Sequence, residues 1–506
     1  MFIDKLKDEL NVSTTENGAV GYVTTKSELV DFNFKVASYR NMKEKEIVKD
    51  FIKAWVENKE LALKYLFYVR DIREGLGERR LFRVCVQEIV KELDNRVFNW
   101  IAEYGRFDDL FVFFGTKLEK DMIQYVTNTL EQDCVDCAQG YPITLLAKWM
   151  PSNNTSSKAT RELAKKFIKA MGVTDREYRK ILSKLRSHLD ILEKKLCANK
   201  WNEVDYAKVP SQANLKYKNA FFKHDADRRL EYLGALEKGE TKINAATLFP
   251  HDIVVRYKEQ SGWDFKYKQG EDATLEELWK ALPNYVNGNP TTLVVRDGSG
   301  SMGCSIGNTR VSALDVSTAL AIYFAERSEG QFKNKFITFS SRPELVDLTK
   351  CSSLRDKLRV CDTYDDCSNT NIEATFDLVL NTAVNNNLKQ EEIPNLLIIS
   401  DMEFDNATTT AYETGHSGLN KAMNTLFGKI RAKFNRHGYD LPRLVFWYVN
   451  SRTQTIPLTQ NENGVILVSG FSPAIVNMVL SEETDPYRAL VKILESDRYK
   501  QVTLNK

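Results

Sequence analysis

The residues best suited to chemistry lie in one stretch, Thr291 to Ser301, which reads Thr-Thr-Leu-Val-Val-Arg-Asp-Gly-Ser-Gly-Ser. Thr291 to Val295 are β-formers with no turn signal among them and predict a buried strand. The strand runs into Asp297-Gly298-Ser299-Gly300-Ser301, so one carboxylate and two hydroxyls stand at alternate positions beyond its carboxyl end. The two glycines permit the tight path that turns Asp297, Ser299 and Ser301 toward one point. Hard oxygen donors with a single charge among them suit Mg²⁺ or Mn²⁺ better than zinc, which prefers Cys and His.

Other chemistries find less support. The five histidines (His188, His224, His251, His416 and His437) are far apart and form no metal-ligand or triad spacing. No phosphate-binding Walker loop is present, and Gly75-Leu76-Gly77 lacks the strand and third glycine of a dinucleotide fold. Cys134-Val135-Asp136-Cys137 is a lone CxxC with no matching second pair and reads as thiols on a helix face. Asp297 and Asp401 could support metal-assisted hydrolysis, but an ion ligated mostly by neutral hydroxyls is a better docking point than a hydroxide generator. A non-enzyme is expected.

The chain must position these groups with 506 residues, enough for more than one domain, each with its own core. Apolar content of 42% and charged content of 28% are ordinary for a globular protein. The net charge of +2 decides nothing, so its distribution matters. The eight cysteines lack a disulfide framework. The opening Met1-Phe2-Ile3-Asp4-Lys5 has no apolar leader, and no 18-residue apolar run occurs. A cytoplasmic monomer with no membrane association is the expectation.

Residues 1–285 read as helices joined by short turns. Ile47, Phe51 and Trp55, then Leu61 and Tyr65, recur at helical spacing, and Gly75-Leu76-Gly77 precedes a helical run from Arg79 to Glu92. A degenerate helical-repeat array of HEAT-like type is expected. Residues 158–230 hold 19 Lys/Arg against nine Asp/Glu, with Tyr178, Trp201, Tyr206, Tyr217, Phe221 and Phe222 interleaved. That composition fits phosphate neutralisation and base stacking, and equally a solvated helix face with its aromatics in the core.

Residues 286–506 change character. Strands at Thr291–Val295, 335–340, 344–348, 396–400, 443–449 and 464–468 alternate with helices at 311–326, 372–387 and near 419–434, and another helix starts near Pro473. This predicts a doubly wound, mainly parallel sheet with ligands at the carboxyl ends of its strands. Residues 362–406 carry ten acids and one Lys, surroundings that favour a cation.

Asp297-x-Ser299-x-Ser301 after an apolar strand resembles the metal-ion-dependent adhesion site of von Willebrand factor A domains. That resemblance implies two further ligand loops. Thr370, in Ser368-Asn369-Thr370-Asn371 before a helical run, and Asp401, ending Leu396-Leu397-Ile398-Ile399-Ser400, match them. The metal set it implies is Asp297, Ser299, Ser301, Thr370 and Asp401, holding Mg²⁺ or Mn²⁺. Asn371 stands where many relatives carry a second acid.

Across nearly the whole chain the sequence resembles domain-of-unknown-function family 2828, related to the Ro autoantigen family of helical rings closed by an A domain. The carrying motifs are 69–80 (Val-Arg-Asp-Ile-Arg-Glu-Gly-Leu-Gly-Glu-Arg-Arg), 104–110 (Tyr-Gly-Arg-Phe-Asp-Asp-Leu) and 147–152 (Ala-Lys-Trp-Met-Pro-Ser). Val209-Pro210-Ser211, Ile243-Asn244-Ala245 and Ser469-Gly470-Phe471 extend it. The Ro resemblance implies binding of structured or single-stranded non-coding RNA on the helical array. The contacts it suggests are Arg70, Arg73, Arg79 and Arg80, with Lys165, Lys166, Arg179, Lys180 and Arg186 on the basic segment. A salt bridge to a neighbouring acid is the alternative for each. Two functions follow as expectations: an RNA-binding scaffold whose A domain recruits an acidic protein group through the metal, or a metal-dependent protein scaffold without RNA.

Overall fold

A computed structural model of the chain describes residues 10–14, 20–261, 264–267, 270–286, 292–306, 309–364, 371–401, 419–449, 465–475 and 485–504. A helical N-terminal region is followed by a six-stranded sheet with helices around it. The strands are β1 (Thr292–Asp297), β2 (Lys335–Phe339), β3 (Leu345–Asp347), β4 (Asn395–Ser400), β5 (Leu444–Tyr448) and β6 (Val465–Ser469). Their order is β6-β5-β4-β1-β2-β3, parallel throughout except for β3, an antiparallel edge on β2.

Strand β1 is buried at all six positions, as expected of a parallel strand covered on both faces. Arg296 is tolerated inside it because its Nε donates to Thr318 Oγ1 at 2.9 Å. Helix Ala313–Arg327 is apolar nearly all round and buried from Asp315 to Ala325. It packs on β1, β2 and β4. After β1 the chain moves to β2 on one side and later returns to β4 on the other. The order therefore reverses between β1 and β4, which opens a crevice at their carboxyl ends.

The chain folds into two compact units that do not follow the expected division at 285/286. One comprises residues 1–62, 73–76 and 245–498; the other comprises 63–72, 77–244 and 499–506. N-terminal segments complete the sheet unit. Helix Glu28–Phe34 packs on β6, with the Phe34 ring 4.8 Å from that of Tyr448 and Ala37 N–H donating to Ser469 Oγ at 3.2 Å. Glu276, in helix Ala273–Lys280, accepts the Leu354 N–H at 2.8 Å and the Arg355 N–H at 3.2 Å, capping helix Leu354–Asp362. A polar hairpin, Lys258–Ser261 with Asp264–Tyr267, was missed by the sequence reading. Lys258, at its start, forms an ion pair with buried Asp315. Near Pro473 the described residues form a 3₁₀ turn, Pro473–Ile475; the next described helix is Pro486–Leu494.

The helical unit is organised around Asp109. Its buried carboxylate accepts from Arg70 Nε at 2.7 Å, Arg83 Nε at 2.6 Å and the Arg106 N–H at 3.0 Å. Gly105 is needed beside it, since a Cβ there would lie 3.0 Å from both Asp109 Oδ2 and the Ile101 carbonyl. The 69–80 and 104–110 motifs thus carry one buried ion cluster. The chain's last residues return to this unit: Tyr499 OH donates to Asp71 Oδ2 at 3.1 Å, and its ring packs on Tyr68 and Tyr104. A second core gathers Leu192, Val204, Tyr206, Val209 and Phe221.

Candidate functional site

The crevice between β1 and β4 receives Asp297 from one strand end and Ser400-Asp401 from the other. Asp297 is wholly buried. Its Oδ1 accepts the Ser299 N–H at 2.9 Å, and its Oδ2 accepts the Ser400 hydroxyl at 2.5 Å. Ser299 and Ser301 share a hydrogen bond at 3.0 Å between their hydroxyls. Ser317, on the central helix, donates to the Asp297 carbonyl at 3.1 Å, tying the loop to that helix. Asp401 is 3% exposed and follows Ser400 directly. Thr370 lies outside the described residues.

Burial pushes the Asp297 carboxyl above its ordinary range, against the hydrogen bonds from Ser400 and Ser299 and the charge of Arg296. No Lys or Arg forms an ion pair with it among the described residues. The donors gathered here are carboxylate and hydroxyl oxygens, which fit a hard divalent cation. Among the described residues, no three His, Cys, Asp or Glu side chains converge as a metal cluster. Ser400 was missed by the sequence reading, because a serine inside a buried apolar strand carries no sign of which neighbour it addresses.

The nine basic candidates separate by burial. Arg70 is 7% exposed, and its ion pair with Asp109 takes it away from any surface ligand. Arg186 is half-buried. It donates to the Ala147 carbonyl at 2.8 Å, the Met150 carbonyl at 2.7 Å and Ser152 Oγ at 2.8 Å, and so holds the 147–152 turn in place. Burial lowers its guanidinium from the ordinary value. Arg79, Arg80, Lys165, Lys166, Arg179 and Lys180 are exposed in the helical unit, and Arg73 is exposed in the sheet unit. Burial, then the like charges of Arg106 and Arg83, lower Arg79. The interleaved aromatics go inward: Tyr178, Tyr206 and Phe221 are buried, and Trp201 and Tyr217 pack against the second core. Cys134 and Cys137 are free thiols on helix Glu119–Gln139. No helix among the described residues is long and apolar enough to cross a membrane.

Comparison with known proteins places two sequence families along the chain. Residues 15–92 and 154–289 match a domain of unknown function, DUF2828, and residues 291–502 match another, DUF7788. The uncharacterized protein L728 of Acanthamoeba polyphaga mimivirus is 30% identical over an alignment of 537 positions, covering 96% of this chain and 87% of that protein. Among solved structures, the Ro (RSR) protein of Deinococcus radiodurans aligns over 88% of this chain and 91% of its own, at 12% identity and a TM-score of 0.35.

Proposed function

The chain belongs to the DUF2828 family, whose L728 relative shares nearly its full length, and from that premise we propose that it is a non-catalytic docking scaffold. Its sheet unit takes a carboxylate of a protein partner through a divalent cation. The observation that carries this reading is Asp297, a fully buried carboxylate at the sheet's switch point whose hydrogen-bond partners are neutral hydroxyl and amide groups. Asp297, Ser299, Ser301 and Asp401 would hold Mg²⁺ or Mn²⁺, with Thr370 added from the sequence. Such an ion supplies the countercharge and a coordination position open to an acidic side chain. The chain's own part is to orient the donors: Ser400 fixes Asp297 Oδ2, and Ser317 anchors the loop. Calorimetric titration with Mg²⁺ and Mn²⁺ tests this. Saturable binding abolished by Asp297→Ala is expected, and absence of binding at millimolar ion overturns it.

A second surface, for RNA, is favoured by the exposed cations Arg79, Arg80, Lys165, Lys166 and Lys180, since Lys and Arg at a surface neutralise phosphates. Fluorescent single-stranded RNA titrated across a salt series should bind with a steep salt slope. Binding should fall on charge reversal at Arg79/Arg80 and Lys165/Lys166 and be unchanged by Asp297→Ala. No binding at low salt removes the RNA role and leaves the metal-dependent protein scaffold.

A further inference from the structure

We propose that a groove in the helical unit binds a linear peptide segment rich in acidic and aliphatic side chains. The groove encloses about 1170 Å³ between the loop 151–155, helices Asp175–His188 and Leu192–Cys197, and the turn Phe107–Phe113. That exceeds the roughly 300–1,000 Å³ of small-molecule sites and suits a length of chain. Five of its lining side chains are Lys or Arg and two are Asp or Glu, so it selects an anionic occupant.

Part of that charge is already engaged: Arg83 by Asp108 and Asp109, Arg186 by the 147–152 turn, and Lys194 by the Ser183 carbonyl and the Ser187 hydroxyl. Lys148 and Arg179 are left to read the ligand. Lys148 is half-buried, and its Nζ has no hydrogen bond or ion pair among the described residues, only the Trp149 ring at 5.6 Å. Arg179 is exposed and uses its Nε alone, on the Asp175 carbonyl at 3.3 Å. Half-buried Phe111, Val112, Leu163 and Ile191 give the groove apolar surface for aliphatic side chains. The exposed Asn154 amide, without a partner among the described residues, can pair with a peptide group.

Nucleic acid fits less well, because the aromatic faces are covered. The Arg106 guanidinium lies 3.9 Å over Trp149, Phe111 packs edge-on against Phe167 at 5.2 Å, and Tyr178 is buried with its hydroxyl on the Pro151 carbonyl at 2.9 Å. Base stacking, a main contact of single-strand binders, would find one Trp149 face already taken and the Tyr178 ring buried.

The test is selection of a random dodecapeptide display library on the immobilised full chain in EDTA, where the cation site is silent and cannot decide the result. Enriched sequences are expected to combine acidic and aliphatic residues. A labelled enriched peptide should lose about tenfold in affinity on Lys148→Glu and on Arg179→Glu, with melting temperatures unchanged, and nothing on Arg79→Glu/Arg80→Glu. Absence of enrichment, enrichment of basic or neutral sequences, or indifference to both groove variants overturns the proposal. Displacement of the peptide by an oligouridine dodecamer would assign the groove to nucleic acid and overturn it as well.

Discussion

Asp109 in the helical unit and Asp297 in the sheet unit are both shut away from water, yet they are satisfied in opposite ways. Asp109 has two arginines and a backbone N–H inside its own unit. Asp297 has a serine hydroxyl and a backbone amide, with its carboxyl held above the ordinary range by burial. A buried carboxylate that brings its own cations is a structural device, and breaking it leaves an uncompensated charge. One that meets only neutral groups at the mouth of a parallel sheet, where ligands of such sheets bind, is the basis of the proposed cation site. The same contrast separates Arg70, enclosed with Asp109, from exposed Arg79 and Arg80, although all three lie in one short motif.

The contrast breaks most visibly under alanine substitution. Asp109→Ala should cost about 3–5 kcal/mol in urea unfolding, because Arg70 stays charged and buried. Asp297→Ala in EDTA should change stability by no more than about 1 kcal/mol, since it removes a desolvated charge with no ion pair. Equal losses would remove the distinction. Next in size, Gly105→Ala should cost about 1–3 kcal/mol, because its Cβ meets Asp109 Oδ2 and the Ile101 carbonyl. Ser400→Ala should leave the EDTA form nearly as stable but weaken Mg²⁺ binding about tenfold, or ~1.4 kcal/mol, by releasing Asp297 Oδ2.

The smallest effect is one of pH. Burial raises Asp108, but the hydrogen bonds and charges of Arg106 and Arg83 outweigh it and hold the carboxyl below its ordinary range. A depressed carboxylate contributes stability that is complete above its unfolded value, about 3.9. That stability disappears as pH falls through the lower folded value. Asp108→Asn should therefore lower stability at pH 7, change little well below the folded value where the wild-type carboxyl is already protonated, and so flatten the acid limb of a pH–stability curve.

Much of this was legible in the chain. An apolar run ending in Asp-Gly-Ser-Gly-Ser announces a strand and an oxygen-rich turn, and strand–helix alternation announces the sheet that aims it. The rest depended on partners distant in sequence. Arg70 and Asp109 are 39 positions apart, and nothing local to Arg70 distinguishes a buried ion pair from a surface cation. Ser400 addresses a residue 103 positions away. The hairpin at Lys258–Ser261 and Asp264–Tyr267 has too few β-formers in its first strand to signal one. The unit boundary was hidden because helix Glu28–Phe34 finds its apolar surface on β6, more than four hundred residues on.

The most direct measurement is Mn²⁺ binding followed by electron paramagnetic resonance, on wild type and on Asp297→Asn. Free-ion signal should be lost on adding wild-type protein, restored by excess Mg²⁺, and unaffected by the variant, which keeps the shape of the site but lacks its charge. Equal loss of signal with both proteins, or none with wild type, would contradict it.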